Sequence, residues 1–368
     1  MQAVRLGIVG LGNMGGDHAR KILAGAAPRV SLAAVCDSNP EELRKFPQIE
    51  GFTRSEALVR SGKVDAVLIA TPHYSHTALG IDALENGLHL LVEKPISVHK
   101  ADCQRLIAAH KNKGQVFAAM FNQRTTPAFK KIRSLIRNGE LGEIRRINWI
   151  STDWFRTDAY YASSGWRATW AGEGGGVLLN QAPHQLDLLQ WLFGMPSKVR
   201  AHCGFGRYHR IEVEDDVTAW LEYPNGTTGV FITSTGEAPG TNRLEVAAER
   251  GRLVYEGGKL TFQRNEMPMG EFSRASRASF AMPEVSNAEI PVLGEAGGHM
   301  EIVRNFADAI LDGTELIAPA EEGLHSVELA NAMLYSALRE ETIELPLDAA
   351  AYEKELRSLA AKSPKRPG

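Results

Sequence analysis

The stretch GLGNMG, residues 10–15, sets Gly10, Gly12 and Gly15 directly after the apolar run Val4–Val9 and directly before a helix-like stretch at 18–23. A strand that leads through bare backbone into a helix N-terminus offers a pyrophosphate unblocked amide donors and the positive end of a helix. Asn13 and Met14 complete that turn. The next β-rich run, Leu32–Cys36, ends in Asp37, twenty-two residues beyond Gly15, where a carboxylate accepts from both hydroxyls of an adenosine ribose. It also repels a 2′-phosphate, and no arginine follows at once to neutralise one, so NAD is expected in preference to NADP.

Two further strand candidates end in residues able to do chemistry. ATPHYSH, 70–76, follows Ala66–Ile69, and EKP, 93–95, follows Leu88–Val92. In an open α/β sheet the carboxyl ends of the strands border the ligand crevice. Thr71, Pro72, His73, His76, Glu93 and Lys94 are therefore expected beside the dinucleotide. Farther on, TDWFRTDAYYASSGWRATW, 152–170, mixes Tyr160 and Trp166 with Arg156 and Arg167. Aromatic faces with hydrogen-bonding partners suit the apolar faces and hydroxyl edges of a sugar ring.

The elements that must position these groups fall into two patterns. Up to about residue 120, short β-rich runs, the last at Val116–Ala119, alternate with helical segments such as 75–86 and 98–113, which means βαβ units and a parallel sheet. From about 143 longer alternating stretches appear, among them Ile144–Ile150, Val217–Tyr223, Thr227–Thr235, Leu244–Ala248 and Leu260–Gln263, and these read as a largely antiparallel sheet. Within that region Gly176–Gly194 repeats apolar residues at helical spacing, with Pro183 marking a start or a kink. Residues 265–298 lack periodicity and read as a long excursion from the sheet. Helices are expected again at Met300–Leu311 and Glu321–Arg339, with a frayed end from Ala360 to Gly368. The expected fold is α/β: a Rossmann domain with a parallel sheet at 1–122, an α/β domain with a large, mostly antiparallel sheet at 123–345, and a C-terminal tail at 346–368.

The 368 residues carry 41 basic against 44 acidic side chains, so no field of one sign argues for nucleic acid or a membrane surface as partner. The three cysteines, Cys36, Cys103 and Cys203, are scattered and odd in number, which fits a reducing compartment, and no metal site is expected. Without a signal-like or membrane-spanning apolar run, the expected location is the cytoplasm.

The motifs GIVGLGNMG at 7–15, VCD at 35–37, ATPHYSH at 70–76, VEKPIS at 92–97 and GGGVLLNQAPHQLDLLQWLFG at 174–194, in this order, resemble the Gfo/Idh/MocA oxidoreductases. The resemblance covers about residues 3–340. It implies that Lys94 lies near the nicotinamide and the reacting hydroxyl, with Glu93 and Pro95 shaping its turn, and that His184 is an acid/base partner. It also implies a cofactor or substrate contact for Arg124 and packing into a homodimer or homotetramer through the open face of the second sheet. Where cyclitol and sugar dehydrogenases of the family often carry an aspartate, four residues before the histidine, this chain has Asn180, which orients by hydrogen bonds but holds no charge. Asp187 is a possible source of that charge.

Oxidation of an alcohol needs a base for the hydroxyl proton, and burial beside a cationic ring lowers a lysine enough to serve. The expected activity is hydride transfer between NAD and a secondary hydroxyl of a sugar, glycoside or cyclitol, with Lys94 and His184 sharing the proton and Arg156, Tyr160, Trp166, Arg167 and Asn180 holding the substrate. Alternatives are a redox-neutral glycoside-cleaving enzyme that oxidises transiently and eliminates, and a dinucleotide-binding sensor without turnover.

Overall fold

The structure, a computed structural model, describes residues 3–364. Six parallel strands make the first sheet: β1 (Val4–Val9), β2 (Val30–Cys36), β3 (Glu50–Phe52), β4 (Ala66–Ile69), β5 (His89–Val92) and β6 (Phe117–Ala119), in the order β3-β2-β1-β4-β5-β6. β4 is buried along its whole length and β1 at all but Arg5, as a parallel sheet covered on both faces demands. The order reverses beside β1, so the crevice opens at the carboxyl ends of β1 and β4.

The second sheet has nine strands: β7 (Ile144–Ser151), β8 (Lys198–Phe205), β9 (Glu214–Glu222), β10 (Thr228–Ser234), β11 (Asn242–Ala248), β12 (Gly251–Glu256), β13 (Lys259–Asn265), β14 (Val285–Ile290) and β15 (Ile343–Glu344). Every pair is antiparallel except β7 with β10 at the centre. Alternate residues of β10 and β11 are buried, Phe231, Leu244 and Val246 among them, in a core shared with the helices Pro183–Phe193 and Gly323–Arg339.

Three expectations are corrected. Residues 265–298 leave the sheet only in part: after the helix Met269–Ala275 the chain comes back as β14, which pairs with β13 as the sheet's edge. β14 is exposed nearly throughout, so neither face imposes an apolar alternation. The segment read as a tail holds the helix Ala349–Lys362, capped by the Asp348 carboxylate, and it buries Tyr352 and Leu356 in the second core; positions 365–368 of the expected frayed end lie outside the described residues. Finally, the chain returns to the first sheet. Met300, Val303 and Phe306 of the helix Gly298–Asp312, then Ala318 and Val327, pack into the core of the parallel sheet, so that core is not confined to the first 122 residues. An apolar helical stripe signals burial without naming the surface that covers it.

Candidate active site

A cleft of about 960 Å³ runs from the glycine turn, past Asp37, to Lys94 and Asn180. Gly10 adopts φ +91°, and a Cβ there would lie 2.7 Å from the Ala70 carbonyl oxygen. A Cβ at Gly15 would strike the Gly10 carbonyl oxygen, which fixes how closely helix and turn pack. Gly12 meets nothing within 4 Å and lines the cleft, so a side chain at that position would stand in the ligand's space. The helix Asn13–Leu23 begins with neither a side-chain cap nor an acidic residue in its first turn. Its amide donors and positive dipole end are left for an anion, and the residues present fit a dinucleotide's pyrophosphate.

Asp37 is fixed from both sides: Leu11 N–H donates to one carboxylate oxygen at 2.7 Å and Asn39 N–H to the other at 2.9 Å. The cleft wall also includes Arg54, from the loop after β3, a cation that local sequence after Asp37 does not reveal.

Beyond β4, Thr71, Pro72 and His73 line the cleft. His73 is buried edge-on to Trp166, at 5.5 Å between ring centroids, and burial together with the charges of His76 and Lys94 holds it well below the usual imidazole range. His76 lines the cleft as well, with Nε2 facing the Thr71 carbonyl and Nδ1 the Pro95 carbonyl, each at 2.8 Å; burial lowers this imidazole, and its neutral form donates to one of the two, between the β4 loop and the β5 loop.

Glu93 lines the cleft, and its carboxylate meets His18 Nε2 at 2.7 Å. Burial alone would raise this carboxyl, but the hydrogen bond and charge of His18, with Lys94 and His299 nearby, hold it down at about 2. Lys94 donates from Nζ to the backbone carbonyl of Asn180 at 2.8 Å. Burial lowers this ammonium against the opposing charges of Glu93 and Glu173, and its net position is below the ordinary lysine value.

Asn180 ends the short helix Val177–Asn180, and Pro183 opens the next, Pro183–Phe193, so the helical stretch is interrupted where the proline marks a start. The glycines ahead of it are needed by close approach: a Cβ on Gly176 would overlap the Glu214 carbonyl oxygen, while the Glu214 carboxylate accepts from the N–H groups of Gly176 and Leu178. The Asn180 side chain donates to Glu173 and accepts from Tyr160 OH at 3.2 Å, and Arg167 donates to that same hydroxyl at 2.8 Å. The Arg156 guanidinium lies 5.1 Å from the centroid of the Tyr160 ring. Trp166, Arg167 and Asn180 line the cleft; Tyr160 and Arg156 stand behind them as support.

His184 is buried, with Phe121 edge-on at 6.3 Å and Nδ1 without a hydrogen-bond partner, and it is not part of the cleft wall. Burial and the charge of Lys94 push its imidazole down to about 3. Nor does Arg124 reach the cleft. Its guanidinium donates to both oxygens of Asp187, at 2.8 and 2.6 Å, and to Glu322, and both members of the Arg124–Asp187 pair are 1% exposed. Asp187 is thereby engaged as well and supplies no charge to Asn180.

Sequence reasoning passed over Glu173, which is 2% exposed and adjoins the glycine run, and His18, which faces Glu93 from the first helix. An acidic residue set directly against three glycines was the available signal for the former; nothing local singles out the latter.

Residues 4–121 match the family described as oxidoreductases with an NAD-binding Rossmann fold, and residues 129–254 match the GFO/IDH/MocA C-terminal domain. Levoglucosan dehydrogenase of Pseudarthrobacter phenanthrenivorans is 25% identical, over 94% of this chain and 99% of that protein. Trans-1,2-dihydrobenzene-1,2-diol dehydrogenase of Bos taurus is 30% identical, over 74% of this chain and 83% of its own. Among solved structures, the WlbA dehydrogenase of Bordetella pertussis in complex with NADH and UDP-GlcNAcA superposes with a TM-score of 0.80 at 26% identity, covering 94% of this chain and all of that one. No helix among the described residues is long and apolar enough to cross a membrane. The glycine turn, the Asp37 anchor, the strand-end lysine and these likenesses lead to one conclusion: the chain belongs to the GFO/IDH/MocA oxidoreductases, with an NAD-binding Rossmann domain.

Proposed function

We infer that the protein is an NAD-dependent dehydrogenase acting on a secondary hydroxyl of a sugar, glycoside or cyclitol, with Lys94 as its base. The observation that carries this reading is the single cleft that joins the glycine turn and Asp37 to a half-buried lysine whose Nζ is already held in place.

NAD, when bound, supplies the hydride acceptor. Gly10, Gly12 and the first turn of the helix Asn13–Leu23 would hold its pyrophosphate, and Asp37 its adenosine ribose. Lys94 performs the proton step. The Asn180 carbonyl takes one of its hydrogens and orients the nitrogen, and burial makes the free amine accessible, so Nζ accepts the proton of the substrate hydroxyl as the alcohol is oxidised. Burial and the charge of Lys94 hold the His184 imidazole low, which favours its neutral form. With His184 outside the cleft wall, the proton step is assigned to Lys94 alone. Trp166 and Arg167 offer an aromatic face and donors to a polyol. The relatives named for levoglucosan and for trans-1,2-dihydrobenzene-1,2-diol, and the WlbA dehydrogenase crystallised with UDP-GlcNAcA, support a hydroxylated ring as substrate.

The test is a panel of sugars, glycosides and cyclitols assayed for both NADH formation and aglycone release. A substrate that forms NADH with turnover is expected, and Lys94→Ala should lower that turnover by about 10² while NADH affinity stays within threefold. Aglycone release without net NADH, or near-normal turnover in Lys94→Ala, would overturn the assignment.

A further inference from the structure

A buried carboxylate lies one contact away from Asn180. Glu173 reaches Asn180 across the glycine run: one of its oxygens accepts from Ala168 N–H at 2.6 Å and the other from the Asn180 side-chain amide. A continuous chain results, from Glu173 through Asn180 to the carbonyl that receives Lys94 Nζ. At 2% exposure an ionised carboxylate is costly unless a cation answers it. The charged and titratable groups facing Glu173 are Lys94, Arg167, Tyr160, Tyr161 and Glu214, with His73 bonded to its backbone carbonyl. Those facing Lys94 are Glu93, Glu173, Arg167 and Arg156, together with the depressed imidazoles of His73, His76 and His184. Glu93 is already paired with His18.

We propose that Glu173 is a positioning residue for the proton step: through Asn180 it fixes the carbonyl that aims Lys94 Nζ, and it supplies the negative charge that Lys94 answers. Burial pushes the Glu173 carboxyl up to about 6, against the hydrogen bonds from Ala168 and Asn180, so near neutral pH it is ionised. Its ionised form favours the protonated lysine, which sets how readily Lys94 gives up the proton it has received. The role rests on the reading of Lys94 as base, but the charge coupling is measurable without any substrate.

The experiment is competitive acetylation of the ligand-free protein with acetic anhydride across pH, with the Lys94 peptide followed by mass spectrometry. In Glu173→Gln the Lys94 labelling midpoint should fall by about one pH unit, tenfold in free amine at fixed pH, while surface lysines keep theirs. An unchanged Lys94 midpoint in folded Glu173→Gln overturns the proposal even if the variant melts earlier, because a purely structural glutamate would alter stability alone. Should Glu173→Gln not fold, the charge-moved variant Glu173→Gln/Asn180→Asp replaces it. That variant should return the Lys94 midpoint to the wild-type value, and a midpoint one unit lower overturns the proposal. If no polyol is oxidised but the midpoint moves as stated, the dehydrogenase assignment fails and the Glu173–Lys94 coupling stands.

Discussion

Replacing Arg124 with leucine tests whether this arginine is a clamp or a ligand contact. In the wild-type protein its guanidinium makes paired bonds to Asp187 at 2.8 and 2.6 Å, a third to Glu322 and a fourth to the Ile317 carbonyl at 3.2 Å, with Phe121 and Trp191 against its face. Leucine keeps some apolar volume but strands Asp187, which is 1% exposed. Burial already raises the Asp187 carboxyl even with Arg124 beside it, so without its partner the group must take up a proton or stay charged in an apolar site. Removing one member of such a buried pair costs about 3–5 kcal/mol. Glu322 adds little, being half-exposed and screened by solvent. Urea unfolding followed by tryptophan fluorescence should show that loss, while NADH affinity by calorimetry stays within about threefold. Arg124→Leu/Asp187→Leu should recover at least half of it, since an apolar pair of similar volume replaces a buried ion pair at little net cost. A loss below about 1 kcal/mol accompanied by tenfold weaker NADH binding would refute the clamp and restore Arg124 to the cofactor.

Two other outcomes are expected. Asp37→Asn keeps an oxygen for Leu11 N–H but removes the charge, so the preference for NAD over NADP, measured by calorimetry, should shrink about tenfold, or ~1.4 kcal/mol; an unchanged ratio would take Asp37 out of cofactor selection. Glu93, held at about 2, is lower in the folded protein than in the unfolded chain, so it stabilises the fold above about pH 4.5 and that contribution, up to about 3 kcal/mol, is lost as pH falls from 4.5 towards 2. Glu93→Gln should flatten this acid limb of the stability curve, and an equally steep limb in the variant would contradict the His18 pairing.

What could be read from the sequence was what is encoded locally. Gly10, Gly12, Gly15 and Asp37 announced a dinucleotide site because the turn, the helix start and the second strand end lie within one βαβ unit. Lys94 was legible because a strand end defines its place. Arg124 was misjudged for the same reason: it follows β6 on the crevice side, yet its charge is claimed by Asp187, 63 positions away. His76 was legible as a cleft residue, but its placement between the Thr71 and Pro95 carbonyls was not, because a carbonyl leaves no mark on residue type. Glu173 escaped notice because its meaning depends on Asn180 and Lys94, which only the folded loops bring to it.

The return of the chain after residue 298 to the first sheet governs how the protein can be made and altered. Chains leave the ribosome from the N-terminus, and the strands of the nucleotide-binding sheet emerge by residue 119. Yet Met300, Val303, Phe306, Ala318 and Val327, which close its apolar flank, are synthesised after nearly the whole antiparallel sheet. Until then that flank faces water or a chaperone, a window in which greasy surface invites aggregation. For the same reason the first 122 residues are not a portable cassette: grafted alone onto another substrate domain they would lack part of their own interior, and a working graft must carry 298–327 with them.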